Sequence, residues 1–292
     1  MASSGEITPR IGVVAFAFGV ARAHQGDAVP GPVLIRLLAD LGISGPAARS
    51  LVLRMRREGW LTSERAGRQA RYRLAPLTAA AQARVEGQLR GSRPGWDGSF
   101  SGVLFTVPER HRSFRDRLRR SAQLLGYVTL QPGLLIAATD RHEELTGLLP
   151  PRPAGSQVLR TRLAFSPEDT RSIVSQLWDL DGLAARYRAV LADAGRRTSR
   201  AEKQPAAGAE AFRNFAAATL PLYQASADDP DLPGELLPAG WPGQQVGQAI
   251  GRAFQAFGPA LGDYLAAVAS PSAGQPGRPT QLTDEFAGER PS

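Results

Sequence analysis

From Ser44 onward, Ala48, Leu51, Val52 and Met55 recur at three- and four-residue spacing, which predicts a helix with one apolar face. Ser44 stands as its N-cap, and Pro46 sits just inside the helix start, where a missing N–H and a fixed φ cost little. The opposite face is polar and basic: Ser50 and Arg57 point away from the apolar stripe, with Arg49 and Arg54 flanking them. Gly59 ends the helix. Beyond it the period changes to two, and Trp60–Arg65 and Arg68–Leu74 read as short strands joined at Ala66-Gly67. Two helices are predicted upstream, over Thr8–Ala23 and Gly31–Leu41. Two helices, a third with a basic outer face and then a cationic hairpin is the order of a winged helix-turn-helix. In that arrangement Arg49, Ser50, Arg54 and Arg57 meet DNA from the helix, and Arg65, Arg68 and Arg71 from the wing. Arginine suits both places, because its planar fork pairs with guanine in a major groove and its charge favours a narrow minor groove.

An alanine-rich helix over Leu77–Arg90 follows, punctuated by Gly91-Ser92-Arg93-Pro94-Gly95. Strand patterns over Phe100–Val107, Tyr127–Leu130, Gly133–Ala138 and Gln157–Phe165 alternate with helices over Arg110–Leu125 and His142–Leu149. That order is βαββαβ, a ferredoxin-like domain. Its first helix sets Phe114, Leu118, Ala122 and Leu125 on one face and Arg112, Arg115 and Arg119 on another. After it, helical spacing covers Pro167–Trp178, Asp181–Ala194, Glu210–Ala225 and Gly243–Ala269, with Gly195–Gly208 expected as a mobile polar loop. The tail from Ser270 has the Pro, Gly and Ser bias of disorder. The expected division of this α+β multidomain chain is a winged helix domain over 1–76, a linker helix over 77–96, and a ferredoxin-like domain over 97–166. A helical domain over 167–269 and a disordered tail over 270–292 complete it.

Composition narrows the function. With 292 residues, 42% of them hydrophobic, the chain is long enough for two or three packed domains. Its longest apolar stretch, Ile11–Ala23, is too short to span a membrane and is broken by Gly12, Gly19 and Arg22, so a cytoplasmic protein is expected. The absence of cysteine excludes disulfides and thiolate chemistry, and three scattered histidines (His24, His111, His142) make no metal set. Residues 1–76 carry eleven arginines against five acids and residues 77–165 thirteen against seven, whereas 166–292 carry eleven basic residues against fifteen acidic. The basic footprint thus lies in the first half, as in a polyanion-binding module followed by an effector or assembly module. Lys203 is the only lysine and follows no GxxxxG, and no nucleophile elbow occurs, so no cofactor, metal or catalytic residue is expected.

Four blocks occur in order: REGWL with the RAGRQARYRL hairpin, WDGSFSGVLFTVPERHRSFRDRLRRSAQLLGYVTLQPGLLIA, LWDLDGLAARYRAVL, and DDPDLPGELLPAGWPG. Together they resemble the PaaX family of bacterial transcriptional repressors over nearly the whole chain. The first helix departs from that pattern, with Phe16-Ala17-Phe18-Gly19-Val20-Ala21 where the family has a Leu-Phe-Gly-Asp-Tyr type segment. The resemblance implies a winged helix domain, a Cas2-like central domain and a helical C-terminal domain. It also implies a homodimer that binds double-stranded operator DNA and is released by an acyl-CoA thioester such as phenylacetyl-CoA. For that effector, Arg112, Arg115 and Arg119 are candidates to meet phosphates, and Trp178, Tyr187 and Trp241 to line an acyl pocket.

The rival reading is a Cas2-like metal-dependent nuclease with Asp97 ahead of the first central strand. Such chemistry gathers carboxylates around a divalent metal. Asp97 is followed by no acid until Glu109, so it reads better as a turn residue.

Overall fold

Three helices open the chain in the computed structural model, which describes residues 9–66, 69–91, 93 and 95–270. They are α1 (Pro9–Gln25), α2 (Gly31–Asp40) and α3 (Gly45–Arg57). A hairpin of β2 (Leu61–Ala66) and β3 (Gln69–Leu74) follows. A two-residue strand, β1 (Val29–Pro30), joins the far edge of β3, giving the order β1-β3-β2. It is too short to leave a period-two signal in the sequence. Ala48, Leu51, Val52 and Met55 are the buried residues of α3, as their spacing predicts. Gly59 ends the helix with φ at +78°, where a residue with a Cβ would be strained. The turn at Gly67 and the tail beyond Ser270 lie outside the described residues.

Only Ala75 separates β3 from α4 (Pro76–Leu89). Next come β4 (Ser99–Thr106), α5 (Arg112–Leu124), β5 (Val128–Gln131), β6 (Leu134–Ala137), α6 (His142–Gly147) and β7 (Gln157–Ala164). This is the expected βαββαβ order, folded as an antiparallel sheet of order β5-β6-β4-β7. One face packs Val103, Phe105 and Leu135 against Phe114, Leu118 and Leu125. The other packs Phe100, Leu134 and Ile136 against Val174 and Leu232. Cover on both faces explains why all four residues of β6 are buried and apolar.

The chain then becomes helical through α7 (Pro167–Leu177), α8 (Leu180–Lys203), α9 (Gly208–Asp228) and α10 (Val246–Ala269). The mobile loop expected over Gly195–Gly208 is replaced, as far as Lys203, by the second half of α8. A narrow buried stripe of small residues, Ala194, Thr198 and Ala201, carries the helix on, and Asp193 pairs with Arg196 and Arg197 across one turn. Small buried residues amid arginines give little hydrophobic contrast, so the periodicity was hidden. Helices α9 and α10 also close the core of the first elements. Phe212, Phe215, Phe257 and Leu261 belong to the same apolar cluster as Phe18, Leu34, Leu37, Val52 and Tyr72.

Polar contacts converge on the segment 228–231. The Asp229 carboxylate is fully buried and accepts from Arg93 Nη2 at 2.8 Å, Tyr187 Oη at 3.0 Å and Trp241 Nε1 at 3.4 Å. Its second oxygen accepts the Asp231 backbone N–H at 2.9 Å. The Asp229 carbonyl accepts from Arg84 Nη1 at 2.9 Å, and the same guanidinium reaches the Ala227 carbonyl at 2.8 Å. Asp231, with φ at +58°, receives Arg141 Nη2 at 2.8 Å, and Asp228 receives Arg186 Nη2 at 2.6 Å. One short segment thereby ties α4, the following linker, the central sheet's margin, α8 and the 240s loop together.

Removing the buried Asp229 carboxylate strands Arg93 and frees three further donors, Tyr187 Oη, Trp241 Nε1 and the Asp231 backbone N–H. Asp229→Ala is therefore expected to lower stability by about 3–5 kcal/mol, and Asp229→Asn, which keeps an acceptor, by less. Thermal unfolding followed by circular dichroism checks this; an unchanged Tm for Asp229→Ala contradicts the role. Burial also pushes all five tyrosines above the ordinary phenol value, Tyr223 to about 12 and Tyr187 further. A phenol raised in the native state leaves stability intact below its unfolded value near 10, and that contribution is lost as pH rises through the native value. Alkaline titration should therefore show tyrosinate absorbance lagging behind free tyrosine and then appearing together with unfolding. Ionisation near pH 10 with the fold retained would contradict it.

Candidate nucleic-acid interface

The basic face of α3 is exposed at Arg49, Ser50, Arg54, Arg56 and Arg57. Ser44 occupies the N-cap position, but its hydroxyl makes no capping hydrogen bond. Arg54 meets Glu58 loosely at 3.9 Å with both side chains about half exposed, a contact of little energetic weight. Arg49 and Arg57 make no ion pair among the described residues. The four predicted α3 residues thus share an open surface of one helix.

Five consecutive residues of β2, Thr62–Ala66, are exposed, so this strand leaves the core with both faces in solvent, while β3 keeps Tyr72 buried. Leu61 and Tyr72 hold its base in the first apolar cluster. Arg65 is exposed near the tip, and Arg68 lies outside the described residues. Arg71 is half-buried and donates through Nε at 3.1 Å, and also through Nη2, to the Ala28 carbonyl. It fastens β3 to the segment entering α2. Arg73, which sequence reasoning passed over, pairs with Glu64 across the hairpin at 3.1 Å.

The six effector candidates do not come together. Arg112 faces Asp116 at 3.6 Å, and Arg115 pairs with Glu109 at 2.8 Å, holding that carboxyl below the usual range. Arg119 lies over the Phe105 ring, 5.6 Å from its centroid. Trp178 is half-buried on the other side of the sheet, stacked on Phe100 with centroids 6.4 Å apart. Tyr187 and Trp241 meet edge to face at 5.9 Å in a third cluster, their polar tips on Asp229. The sequence signal for these last two lay in the run Asp228-Asp229-Pro230-Asp231, whose three acids demanded partners if buried.

Asp97 bonds Arg162 and Ser99, and the Arg162 contact pulls its carboxyl below the ordinary value. Asp140 is bonded by Arg160 and Ser101. Among the described residues no group of three or more His, Cys, Asp or Glu side chains is placed to hold a metal. The nuclease reading is not favoured by these commitments. No described helix is long and apolar enough to cross a membrane.

Comparison with known proteins gives three family matches in chain order. They are PaaX-like protein over residues 13–77, PaaX protein central Cas2-like domain over 93–179, and PaaX-like protein C-terminal domain over 178–267. The Transcriptional repressor PaaX of Escherichia coli (strain K12) is 25% identical over 273 residues, which cover 91% of this chain and 85% of that protein. Among solved structures, the Uncharacterized protein Rv0674 from Mycobacterium tuberculosis aligns at 24% identity with a TM-score of 0.45, covering 89% of this chain and 98% of its own. The chain belongs to the PaaX family, and its middle portion is that family's Cas2-like domain.

Proposed function

We propose that this chain is a cytoplasmic, sequence-specific DNA-binding transcriptional regulator. It acts as a homodimeric repressor whose hold on its operator is released by an acyl-CoA thioester. The observation that carries the reading is an open basic face on α3 beside a hairpin whose first strand is exposed on both sides, within a chain matched along its length by a family that includes a transcriptional repressor. In this reading residues 1–76 are a winged helix-turn-helix, 77–96 a linker helix, 97–166 the Cas2-like domain and 167–269 the helical domain.

The third helix enters the major groove, where Arg49 and Arg54 read base edges and Ser50 and Arg57 meet the backbone. Arg65 and Arg68 carry the wing to the neighbouring phosphates. Arg71 contributes there by fixing where the wing stands, since Ala28 already takes two of its N–H donors. Two copies place two such helices on one side of an inverted repeat, and polymerase is occluded. An inducer acts only through its differential affinity for the released state, and reversing a 99:1 equilibrium takes about 5.5 kcal/mol.

Fluorescence anisotropy on the chain's own upstream intergenic duplex, at two salt concentrations and against random duplex, tests this. The upstream duplex is expected to be preferred, with log K falling by about 0.9 per log unit of salt for each phosphate neutralised. Arg49→Ala should weaken binding to it by about 1–3 kcal/mol while random-duplex binding changes far less; equal losses on both would remove its base-reading role. One member of a panel of acyl-CoA thioesters should release the duplex, and indifference to all of them would remove the inferred effector. Arg71→Ala should also lower thermal stability, by about 1–3 kcal/mol from the lost charged hydrogen bonds. An unchanged Tm would show that the Ala28 contact contributes nothing.

A further inference from the structure

Local rules do not favour Asp40. It closes α2, at the negative end of the helix dipole, where a carboxylate is repelled. Its one ion pair among the described residues, with Arg36 at 2.9 Å, has the basic residue ahead of the acidic one, the weaker order for an i,i+4 pair. Yet only 13% of its side-chain surface is exposed. Such a residue is placed by something across the fold. That partner is Tyr264 of α10, whose hydroxyl donates to the same Asp40 oxygen that Arg36 meets. Tyr264 is itself buried and lies nearly parallel to Phe212 of α9, with ring centroids 5.6 Å apart and 17° between the planes.

The contact stands at the turn that aims α3. Residues 41–44 separate the two helices, and the N–H groups of Leu41, Gly42 and Ile43 bond back to the carbonyls of Leu37, Ala39 and Leu38. The turn is thus fastened to the end of α2, and the direction of α3 follows how that end is held. Leu51, Val52 and Met55 of α3 rest in the same apolar cluster as Leu34, Leu37 and Leu38 of α2. Helix α10 carries position across the molecule, its 24 residues spanning about 36 Å at 1.5 Å per residue. Val246 and Ala249 at its start lie in the cluster of Tyr187 and Trp241, and a Cβ on Gly247 would collide with the Leu89 carbonyl of α4. Phe257, Leu261 and Tyr264, further along, belong to the cluster beneath α3. Apolar burial is non-directional, whereas a hydrogen bond weakens steeply off its line, so the Tyr264 hydroxyl supplies the register that packing leaves loose.

We infer that Tyr264 is a positioning residue for the helix that reads DNA: through Asp40 it ties the end of α2 to α10 and so fixes the direction in which α3 leaves the turn. The reading helix is then aimed by a residue 224 positions along the chain, on a helix rooted against α4 and the 240s loop. Tyr264 acts on Arg49 and Arg54 by way of α2. Contacts to base edges need side chains placed within about 0.5 Å and 10–20°, while contacts to phosphates carry no sequence information and tolerate wider placement. Loss of the tie therefore costs sequence preference before it costs general affinity for DNA. The consequence for DNA rests on the function proposed above; the hold of α10 on α3 does not.

The chain has no cysteine, so a pair of nitroxide labels can be introduced cleanly. Ser50→Cys on α3 and Ser199→Cys on α8, which packs beside α10, are both exposed sites. Double electron–electron resonance between them reports α3 against the helical domain, with labelled full-length chains diluted in unlabelled ones so that only distances within a chain are read. The parent pair is expected to give one narrow distribution. Tyr264→Phe, which keeps the ring on Phe212, should shift or broaden it, and Asp40→Asn, which keeps an acceptor for the hydroxyl, should stay close to the parent. On chains without labels, Tyr264→Phe should cut the anisotropy preference for the upstream over random duplex tenfold or more, with random-duplex affinity changed less than twofold. Tyr127→Phe, which removes a hydroxyl bonded to Ser101 and the Arg141 N–H in the central domain, is the control for lost stability and should leave both readouts unchanged. An unchanged distance distribution in Tyr264→Phe overturns the proposal. So does a changed one with the preference intact, or an equal loss of preference in Tyr127→Phe. A changed distribution in a protein whose wild type shows no upstream preference supports the hold of α10 on α3 and removes the DNA reading.

Discussion

A buried carboxylate must be matched by donors or it expels itself from the fold, and Asp229 is that constraint here. Its oxygens gather one arginine, one phenol, one indole and one backbone N–H, contributed by the linker, α8, the 240s loop and its own segment. The neighbouring carbonyls of 227 and 229 are taken by Arg84, a guanidinium whose own burial pulls its pKa down. Both Asp229 oxygens are matched, and losing their donors would leave a charge in a low-dielectric interior. The members of this network therefore hold one another in a single arrangement.

That arrangement fixes how the ends of the molecule stand. Helix α4 starts one residue after the exposed hairpin and is gripped by Arg84 and Gln88 at the far side. Arg141 ties Asp231 to the margin of the central sheet. The apolar cluster under α3 is completed by α9 and α10. Regulation by a ligand needs an element on which two sites both act, and this junction is where those contacts meet.

Much of this was legible in the sequence where the hydrophobic contrast was strong. The face of α3, the presence of the two hairpin strands and the βαββαβ order follow from periods of apolar residues against polar ones, although Ala66, expected in the turn, pairs with Gln69 as the last residue of β2. Elements without that contrast were missed. Strand β1 has two residues, and the end of α8 buries only Ala194, Thr198 and Ala201 amid arginines, so it reads as a loop. For the site, sequence spacing selected the open cations of α3, because a helix face is a local property. It does not show that Arg112, Arg115 and Arg119 of α5 meet Asp116, Glu109 and Phe105, or that Trp178 lies in a different cluster from Tyr187 and Trp241. Which charges are neutralised, and which aromatics face the interior, depends on partners that can lie more than a hundred residues away, as Arg84 and Arg93 do from Asp229. The acids of 228–231 were visible as a motif, but their role became definable only with Arg84, Arg93 and Arg141 around them.

The most direct test of a dimeric, sequence-reading regulator is a quantitative DNase I footprint of the wild-type protein over its own upstream DNA. The account predicts two protected half-sites in inverted repeat, their centres about one or two helical turns apart and on one side of the duplex. Uniform protection, or none at concentrations that saturate random duplex, would contradict it.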